Sequence, residues 1–177
     1  MKQTIEDLKT RRSIRKFKEE QISDEELKTI LEVGTYAPTA RGLQSPKIVV
    51  VQNPETINEF SAWNRSYFPM EMPEDMDPFY GAPTLLIVLA DSELPTWKED
   101  GSSVLAVLVN AAHAIGIGSC WIHRAYDEFS SKKGKELLKE WGIPETFEGV
   151  GHVVLGYPDM EAPEPLPRKE DYIHYVD

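Results

Sequence analysis

Thr84-Leu-Leu-Ile-Val-Leu-Ala90 and Ser102-Ser-Val-Leu-Ala-Val-Leu-Val-Asn-Ala-Ala-His-Ala-Ile115 are two strongly apolar stretches of the chain. The first is short and aliphatic, which predicts a strand. The second is apolar on most faces, so it predicts a helix that lies either centrally or in an interface between subunits. His113 falls within this helix, where a hydrogen-bonded core histidine is the expected interpretation.

Shorter signals on both sides of these stretches predict further elements. The capping-box sequence Ser23-Asp24-Glu25-Glu26 predicts the start of a helix, and Asn53-Pro54 predicts the start of another. Between them, the β-branched run Lys47–Gln52 predicts a short buried strand. The remaining predicted elements are strands at 119–123 and 150–157 and a helix near 131–141.

The order of these elements predicts one α+β domain over residues 1–177, with helices on both faces of a single sheet. Four prolines in the tail, at 158, 163, 165 and 167, predict an extended segment there. Residues 172–176 alternate like an edge strand. A segment of this kind packs little against its own domain. It would have a packing partner if it reached across to the sheet of a second subunit.

Composition excludes several classes of protein. The net charge of −11 argues against a nucleic-acid partner, because phosphate backbones require a broad basic surface. The single cysteine excludes an internal disulfide framework and suits a reducing compartment. The first residues carry no apolar signal-peptide core, and the apolar runs are too short to span a bilayer. We therefore expect a soluble cytoplasmic protein with no membrane partner.

Positive charge is nevertheless concentrated near the N-terminus. Residues 9–18, called the basic segment below, contain no acidic residue and six basic ones: Lys9, Arg11, Arg12, Arg15, Lys16 and Lys18. The rest of the chain therefore carries −17, which is −11 minus 6. This segment indicates either a site for one small anionic ligand or a solvated basic helix end.

Conventional catalytic signals are weak. The four histidines lack metal-ligand spacing, and Cys120 in a predicted strand is interpreted as an inert buried thiol. Gly116-Ile-Gly118 follows its helix and lacks the third glycine of a dinucleotide fingerprint, because Trp121 stands there.

Anion binding is the chemistry that remains. Arg11-Arg12-Ser13-Ile14-Arg15 places guanidinium forks on both sides of a hydroxyl donor, a set that suits phosphate. Folding or dimerisation could add the distant pair Arg168-Lys169. Several phosphate donors without acid–base machinery indicate a bound cofactor that carries the chemistry.

A family resemblance gives this cofactor an identity. Several landmarks occur in the order seen in FMN-dependent nitroreductases: Arg11–Arg15, Tyr36–Gln44 before a strand, Gly81-Ala-Pro83, Ile117–Ala125, and Leu155–Pro158 with Pro167–Lys169. The chain resembles this family from about residue 5 to residue 176. The resemblance implies a nitroreductase-like three-layer α-β-α sandwich with a four- to five-stranded mixed sheet. It also implies a homodimer that exchanges its C-terminal strand and holds FMN at the subunit interface.

The resemblance further implies roles for three groups of residues. Those holding the FMN phosphate would be Arg11, Ser13, Arg168 and Lys169, with Arg12 nearby, while Arg15 would reach the pyrimidine end of the flavin. Those contributed by the other subunit would be Pro38, Thr39, Ala40 and Gln44. Those beside the reactive edge would be Ile122, His123 and Arg124, where a backbone N–H is placed to bond flavin N5. The chain departs from the usual family pattern at Gly42-Leu-Gln-Ser-Pro46.

The implied activity is ping-pong oxidoreduction. NADH or NADPH would reduce FMN, which would then reduce a small electron-poor acceptor such as a nitroaromatic compound or a quinone. No side chain is required as an obligatory acid, and no metal is involved. Three alternatives remain open at this point: a flavin-binding sensor without enzymatic activity, a dehalogenating or flavin-fragmenting enzyme on the same fold, and a basic segment that is only surface.

Overall fold

The apolar stretch after Pro83 forms the central strand β2, Thr84–Asp91, in the computed structural model, which describes residues 2–176. Its side chains alternate between two hydrophobic clusters. Leu85 and Ile87 enter one cluster, and Leu86 and Val88 enter the other. All four are fully buried, and each contributes roughly 1.5–3 kcal/mol to stability.

Four strands form the sheet in the order β1-β2-β4-β3, with β1 at Lys47–Val51, β3 at Gly118–Ile122 and β4 at Phe147–Gly156. Every neighbouring pair is antiparallel. The expectation of a mixed sheet is therefore wrong for the strands of the described chain. The prediction that β1 is buried is also wrong, because this edge strand pairs on one side and most of its residues stay partly exposed.

Helices cover both faces, which confirms the three-layer α-β-α architecture. Helices α2, Asp24–Gly34, and α4, Trp97–Ala114, pack on one face through Ile30, Leu105 and Leu108. On the other face lie α3, Pro54–Ser66, α5, Ala125–Phe129, and α6, Lys132–Glu140. A short α1, Gln3–Thr10, contains the first two residues of the basic segment. No helix within residues 2–176 is long and apolar enough to cross a bilayer.

The two predicted helix starts are confirmed by their caps. The Ser23 side chain accepts a hydrogen bond from the Glu26 backbone N–H, and the Glu26 carboxylate accepts one from the Ser23 backbone N–H. At the start of α3, the Asn53 side chain accepts a hydrogen bond from the Thr56 backbone N–H, and Pro54 is the first residue of the helix. Such caps satisfy N–H groups that have no partner within the helix.

The tail after β4 does not form the expected edge strand. Pro158 pairs with Phe17, and Asp159 N–H donates to the carbonyl of Lys16. Beyond this point the chain is extended and exposed, with one 3-10 turn at Glu170–Tyr172. A strand requires a hydrogen-bonded neighbour, and the described chain presents none to residues 172–176.

Glu26 links stability to pH, because its carboxylate also accepts a 2.7 Å hydrogen bond from Tyr157 Oη at the end of β4. The bond from Tyr157, followed by those from Ser23, lowers the pKa of Glu26 below its ordinary value of 4.5. A lowered pKa contributes stability that is present above the unfolded-state pKa and is lost as the pH falls through the folded-state pKa. We predict that Glu26→Gln lowers the urea midpoint at about pH 7 and that this deficit shrinks toward about pH 3.

Glu25→Gln is the matched control, because Glu25 is an exposed neighbour on the first turn of α2. It removes the same charge without removing the bond to Tyr157. Equal deficits for the two variants at every pH would contradict the role of Glu26.

Candidate functional site

The basic segment runs in an extended conformation beside β3. Ile14 N–H donates to the carbonyl of Ser119 at 2.9 Å, and Lys18 N–H donates to the carbonyl of Tyr157 at 2.9 Å. Ile14 and Phe17 are buried in the core and hold the segment in place. Arg15 lies between these anchors, and Arg11 and Arg12 directly precede the first one, so backbone pairing and neighbouring apolar side chains position this part of the segment.

In an extended segment alternate side chains share a side, so Arg11, Ser13 and Arg15 lie on the side opposite to Arg12 and Ile14, which line one pocket. Burial raises the pKa of the Cys120 thiol, while the charge of Arg15, a hydrogen bond with Ser13 and the charge of Arg11 act in the opposite direction. The thiol is buried, as expected for an inert cysteine. The guanidinium groups of Arg11 and Arg15 and the hydroxyl of Ser13 therefore share one side of the basic segment, where they can bind anionic groups.

Arg12 has a different role from its neighbours. Its Nη1 donates to the carbonyls of Lys9 at 2.9 Å and Arg11 at 2.8 Å, and its Nε donates to the carbonyl of Pro163 at 3.1 Å. These bonds tie the beginning of the tail to the basic segment. Arg12 thus supports the site by holding backbone rather than by offering a free cation.

The structure does not bring Arg168 and Lys169 to this place. Both are exposed, and Arg168 donates through Nε and Nη2 to the carbonyl of Leu166. Within residues 2–176, neither side chain has a hydrogen bond to the basic segment. Their predicted contact with the same phosphate therefore requires another arrangement of the tail.

The Pro38–Gln44 loop lies at the opposite end of α4 from the basic segment. Ala40 N–H donates to Asp100 Oδ1 at 2.9 Å, near the start of α4. Near the end of that helix, His113 Nε2 lies 3.0 Å from Thr10 Oγ1. Thirteen residues of helix separate Asp100 from His113, a rise of about 20 Å.

This geometry also corrects the interpretation of His113. It is half-buried where α4 reaches the surface, so it is not a core histidine. It lines a pocket of about 250 Å³ together with Arg12 and Ser119, whereas Thr39 and Gln44 line a different pocket of about 340 Å³. The two predicted halves of the cofactor site are therefore separate in one chain.

The third predicted group follows the end of β3. Ile122 is buried, while His123 is exposed and Arg124 is half-exposed. Arg124 adopts a left-handed backbone conformation, with φ of 80°. Its guanidinium carbon lies 3.5 Å from the centroid of the Phe68 ring, a stacked cation–π contact.

Sequence reasoning missed three buried polar residues behind this turn: Asn64, Glu128 and His152. Asn64 donates to the carbonyl of His123 and to Glu128 Oε1, both at 2.9 Å, and His152 Nε2 lies 2.5 Å from Glu128 Oε2. A signal for Asn64 was present, since it stands four residues after Phe60 and seven after Ile57 on the buried face of α3.

Comparison with known proteins agrees with this architecture. The sequence profile described as the nitroreductase family matches residues 8–157. A protein of Archaeoglobus fulgidus, provisionally named NADH dehydrogenase/NAD(P)H nitroreductase, is 32% identical over 166 residues, which cover 91% of this chain and 88% of that protein. NADPH-flavin oxidoreductase of Vibrio harveyi is 33% identical and aligns with 95% of this chain and 70% of its own length.

Solved structures give the same result. A nitroreductase with bound FMN from Bacteroides fragilis superposes with a TM-score of 0.89 at 26% identity, covering 100% of both chains. One with bound FMN from Desulfitobacterium hafniense gives 0.87 at 29% identity, also covering 100% of both chains. The chain belongs to the nitroreductase family, a family of oxidoreductases.

Arg11 and Arg15 give a direct test of anion binding. We predict that the double variant Arg11→Ala/Arg15→Ala loses FMN affinity by about tenfold or more, because both charge-assisted contacts are removed. Both side chains are at least partly exposed, so the urea midpoint should change little. Fluorescence titration with FMN measures the affinity.

Lys16→Ala/Lys18→Ala is the matched control, because it removes two exposed cations of the same segment, one of which, Lys16, is already paired with Asp159. Unchanged FMN affinity in the arginine variant, or an equal loss in the lysine variant, would contradict the site assignment.

Proposed function

We propose that this protein is an FMN-dependent oxidoreductase that takes electrons from NADH or NADPH and reduces a small electron-poor acceptor such as a nitroaromatic compound or a quinone. One observation carries the proposal: Arg11, Ser13 and Arg15 share one side of the extended basic segment beside β3, in a chain whose net charge is −11. Membership of the nitroreductase family and the FMN bound by two structurally similar proteins support it. We treat residues 1–177 as one FMN-binding domain.

The donor set fits FMN. The guanidinium of Arg11 and the hydroxyl of Ser13 suit a phosphate, and Arg15 adds a second cation on the same side of the segment. The backbone after β3 offers the N–H of Arg124, which has no hydrogen-bond acceptor within residues 2–176. When bound, FMN supplies the redox chemistry by accepting a hydride from the nicotinamide and passing electrons to the acceptor.

The side chains of this protein bind and orient. Arg11 and Ser13 are proposed to hold the phosphate, and Arg15 is proposed to place its charge near the pyrimidine end of the flavin. A fixed cation there stabilises negative charge that develops on reduction. Arg12 keeps the basic segment and the tail together through carbonyl contacts.

A homodimer would complete the site. Half-exposed residues repeat along α4 at helical spacing: Ser103, Ala106, Val107, Asn110 and His113. If α4 packs against the same helix of a second copy about a twofold axis perpendicular to both helices, the two helices are antiparallel and the start of one lies beside the end of the other. The Pro38–Gln44 loop of one subunit would then lie near the basic segment of its partner.

The tail supports the same assembly. Its apolar side chains are largely exposed, including Ile173 at 67% and Val176 at 86%. Among the described strands, β1 pairs only with β2 and so keeps one edge free. A partner's residues 172–176 could add to this edge as a fifth strand, which would bury those side chains and move Arg168 and Lys169.

An absorbance experiment tests the proposed function. We expect purified protein to carry flavin bands, or to acquire them with added FMN, and these bands should bleach when NADH or NADPH is added without oxygen. Bands that do not bleach would favour a sensor or a specialised flavin enzyme. A protein that neither carries nor takes up FMN would exclude the proposal.

The cytoplasmic location stays a prediction from composition.

Mixed dimers test whether each site is shared. Arg11→Ala/Arg15→Ala damages the basic segment, and Ala40→Glu damages the loop that would come from the partner. Co-expression of the two variants should restore about a quarter of the wild-type FMN sites, because half of the dimers are mixed and each of these has one intact site. Isolation through two different affinity tags gives mixed dimers for FMN titration.

Either variant expressed alone is the control and should show weak binding. If mixed dimers bind FMN no better than the two parent variants, each site is built within one chain and the shared arrangement is wrong.

A further inference from the structure

A chain of three buried polar side chains ends at the peptide that follows β3. His152 on β4 contacts Glu128 on α5, Glu128 contacts Asn64 on α3, and Asn64 contacts the carbonyl of His123. Asn64, Glu128 and His152, called the buried relay below, are all fully buried. The relay therefore joins three elements to one backbone position.

The position that it fixes is a single peptide unit. The carbonyl of His123 and the N–H of Arg124 belong to the same peptide group, and in a trans peptide these two groups point in opposite directions. Asn64 holds the carbonyl inward at 2.9 Å. The N–H of Arg124 is consequently directed away from the core, and it has no acceptor within residues 2–176.

The backbone at Arg124 needs such support. A left-handed conformation is uncommon for a residue with a side chain and persists only where its surroundings hold it. Glu128 N–H donates to the carbonyl of Arg124 at 3.1 Å, which fixes the other side of the residue. Phe68 stacks on its guanidinium. Gly149 lets α5 approach closely, since a Cβ there would lie 2.1 Å from the carbonyl oxygen of Ala125.

The buried relay stabilises the core less than apolar side chains would. Asn64 Oδ1 and His152 Nδ1 have no hydrogen-bond partner. A buried polar network that is only partly satisfied is less favourable than apolar packing. The neighbouring side chains Phe60, Phe79 and Phe129 are apolar, so apolar residues could occupy these positions. Fold stability therefore does not explain the relay.

We propose that Asn64, Glu128 and His152 are positioning residues that aim the N–H of Arg124 at the bound flavin. Asn64 acts through both hydrogens of Nδ2, one on His123 and one on Glu128. Glu128 fixes which way the amide of Asn64 is turned, and His152 fixes the carboxylate of Glu128. The inference rests on the proposed FMN function and adds the residues that orient the flavin's reactive edge.

The test replaces Asn64 by Ala and follows the bound flavin. An N–H donor favours oxidised N5, which accepts a hydrogen bond, so loss of its orientation should raise the midpoint potential of bound FMN. Reduction by NADPH should nevertheless slow by about tenfold or more, because the flavin is less well oriented. FMN affinity should change by less than about threefold, since the phosphate contacts are intact. A faster reduction at the raised potential would indicate a change in driving force alone and would overturn the proposal.

Ser61→Ala is the matched control for the cost of losing a buried hydrogen bond. Ser61 lies one turn earlier on α3 and donates to Asp77 Oδ1 at 2.5 Å. This variant should lose stability without changing the flavin potential or the rate of reduction. If Asn64→Ala behaves in the same way, the relay is only structural and the proposal is wrong.

Two Glu128 variants add a rescue test. Glu128→Gln keeps an oxygen for Asn64 and a polar contact for His152, so its reduction rate should stay within about threefold of wild type. Glu128→Ala removes both contacts and should reproduce the slow reduction of Asn64→Ala. Equal rates for the two Glu128 variants would contradict the relay.

Wild-type protein supplies a measurement that does not depend on variants folding. FMN labelled with ¹⁵N at N5 should show a scalar coupling across the hydrogen bond to the ¹⁵N-labelled amide of Arg124. Absence of this coupling in protein that binds FMN and is reduced by NADPH would overturn the positioning role while leaving the proposed function intact. Failure to bind FMN at all would overturn both.

Discussion

The length and position of α4 constrain the whole arrangement. This helix carries the Pro38–Gln44 loop on Asp100 near its start and meets α1 through His113 near its end. Because a helix of this length is rigid, the two predicted groups of flavin ligands cannot approach each other within one chain. The described chain therefore holds the two predicted groups apart. The proposed twofold partner would join them and would cover the half-exposed residues that follow one side of α4.

Positive charge in this acidic protein is concentrated in the basic segment. Most of the chain is acidic, and the arginines of the basic segment are held by backbone pairing beside β3. Arg12 shows that neighbouring arginines need not share a role, since carbonyl groups take up its donors while Arg11 and Arg15 lie on the other side of the basic segment. Fixed cations on a backbone segment held beside a strand can bind an anion without reorganisation, which favours both affinity and stabilisation of developing charge.

The buried polar groups of the relay also fix part of the structure, namely the backbone at Arg124. The strands beneath the site are packed almost entirely with aliphatic and aromatic side chains, and the buried relay interrupts this packing where the backbone turns at Arg124. An apolar core specifies where a strand lies, but it does not specify the rotation of one peptide group. Directional hydrogen bonds can specify this rotation, although the buried polar groups that form them stabilise the core less than apolar side chains would.

Local patterns were sufficient to predict most of the elements. The capping box at Ser23 and the pair Asn53-Pro54 mark helix starts with residues whose side chains or rings act within one turn. The run Thr84–Ala90 had to form a strand because it is short and aliphatic. The ordered motifs also indicated the family, which the comparisons confirm. These features depend on neighbours in sequence, so they can be derived without tertiary information.

Tertiary structure decided what depends on distant neighbours. The antiparallel order of the sheet, the exposed edge of β1 and the extended tail follow from which segments pair. The separation of the Pro38–Gln44 loop from the basic segment follows from where the ends of α4 lie. The contact of Asn64 with His123 spans 59 residues, and no periodicity specifies it. By itself the sequence determined the elements, the basic segment and the family. Only folding determined which of these groups face one another, because pairing and burial act between residues that are far apart in the chain.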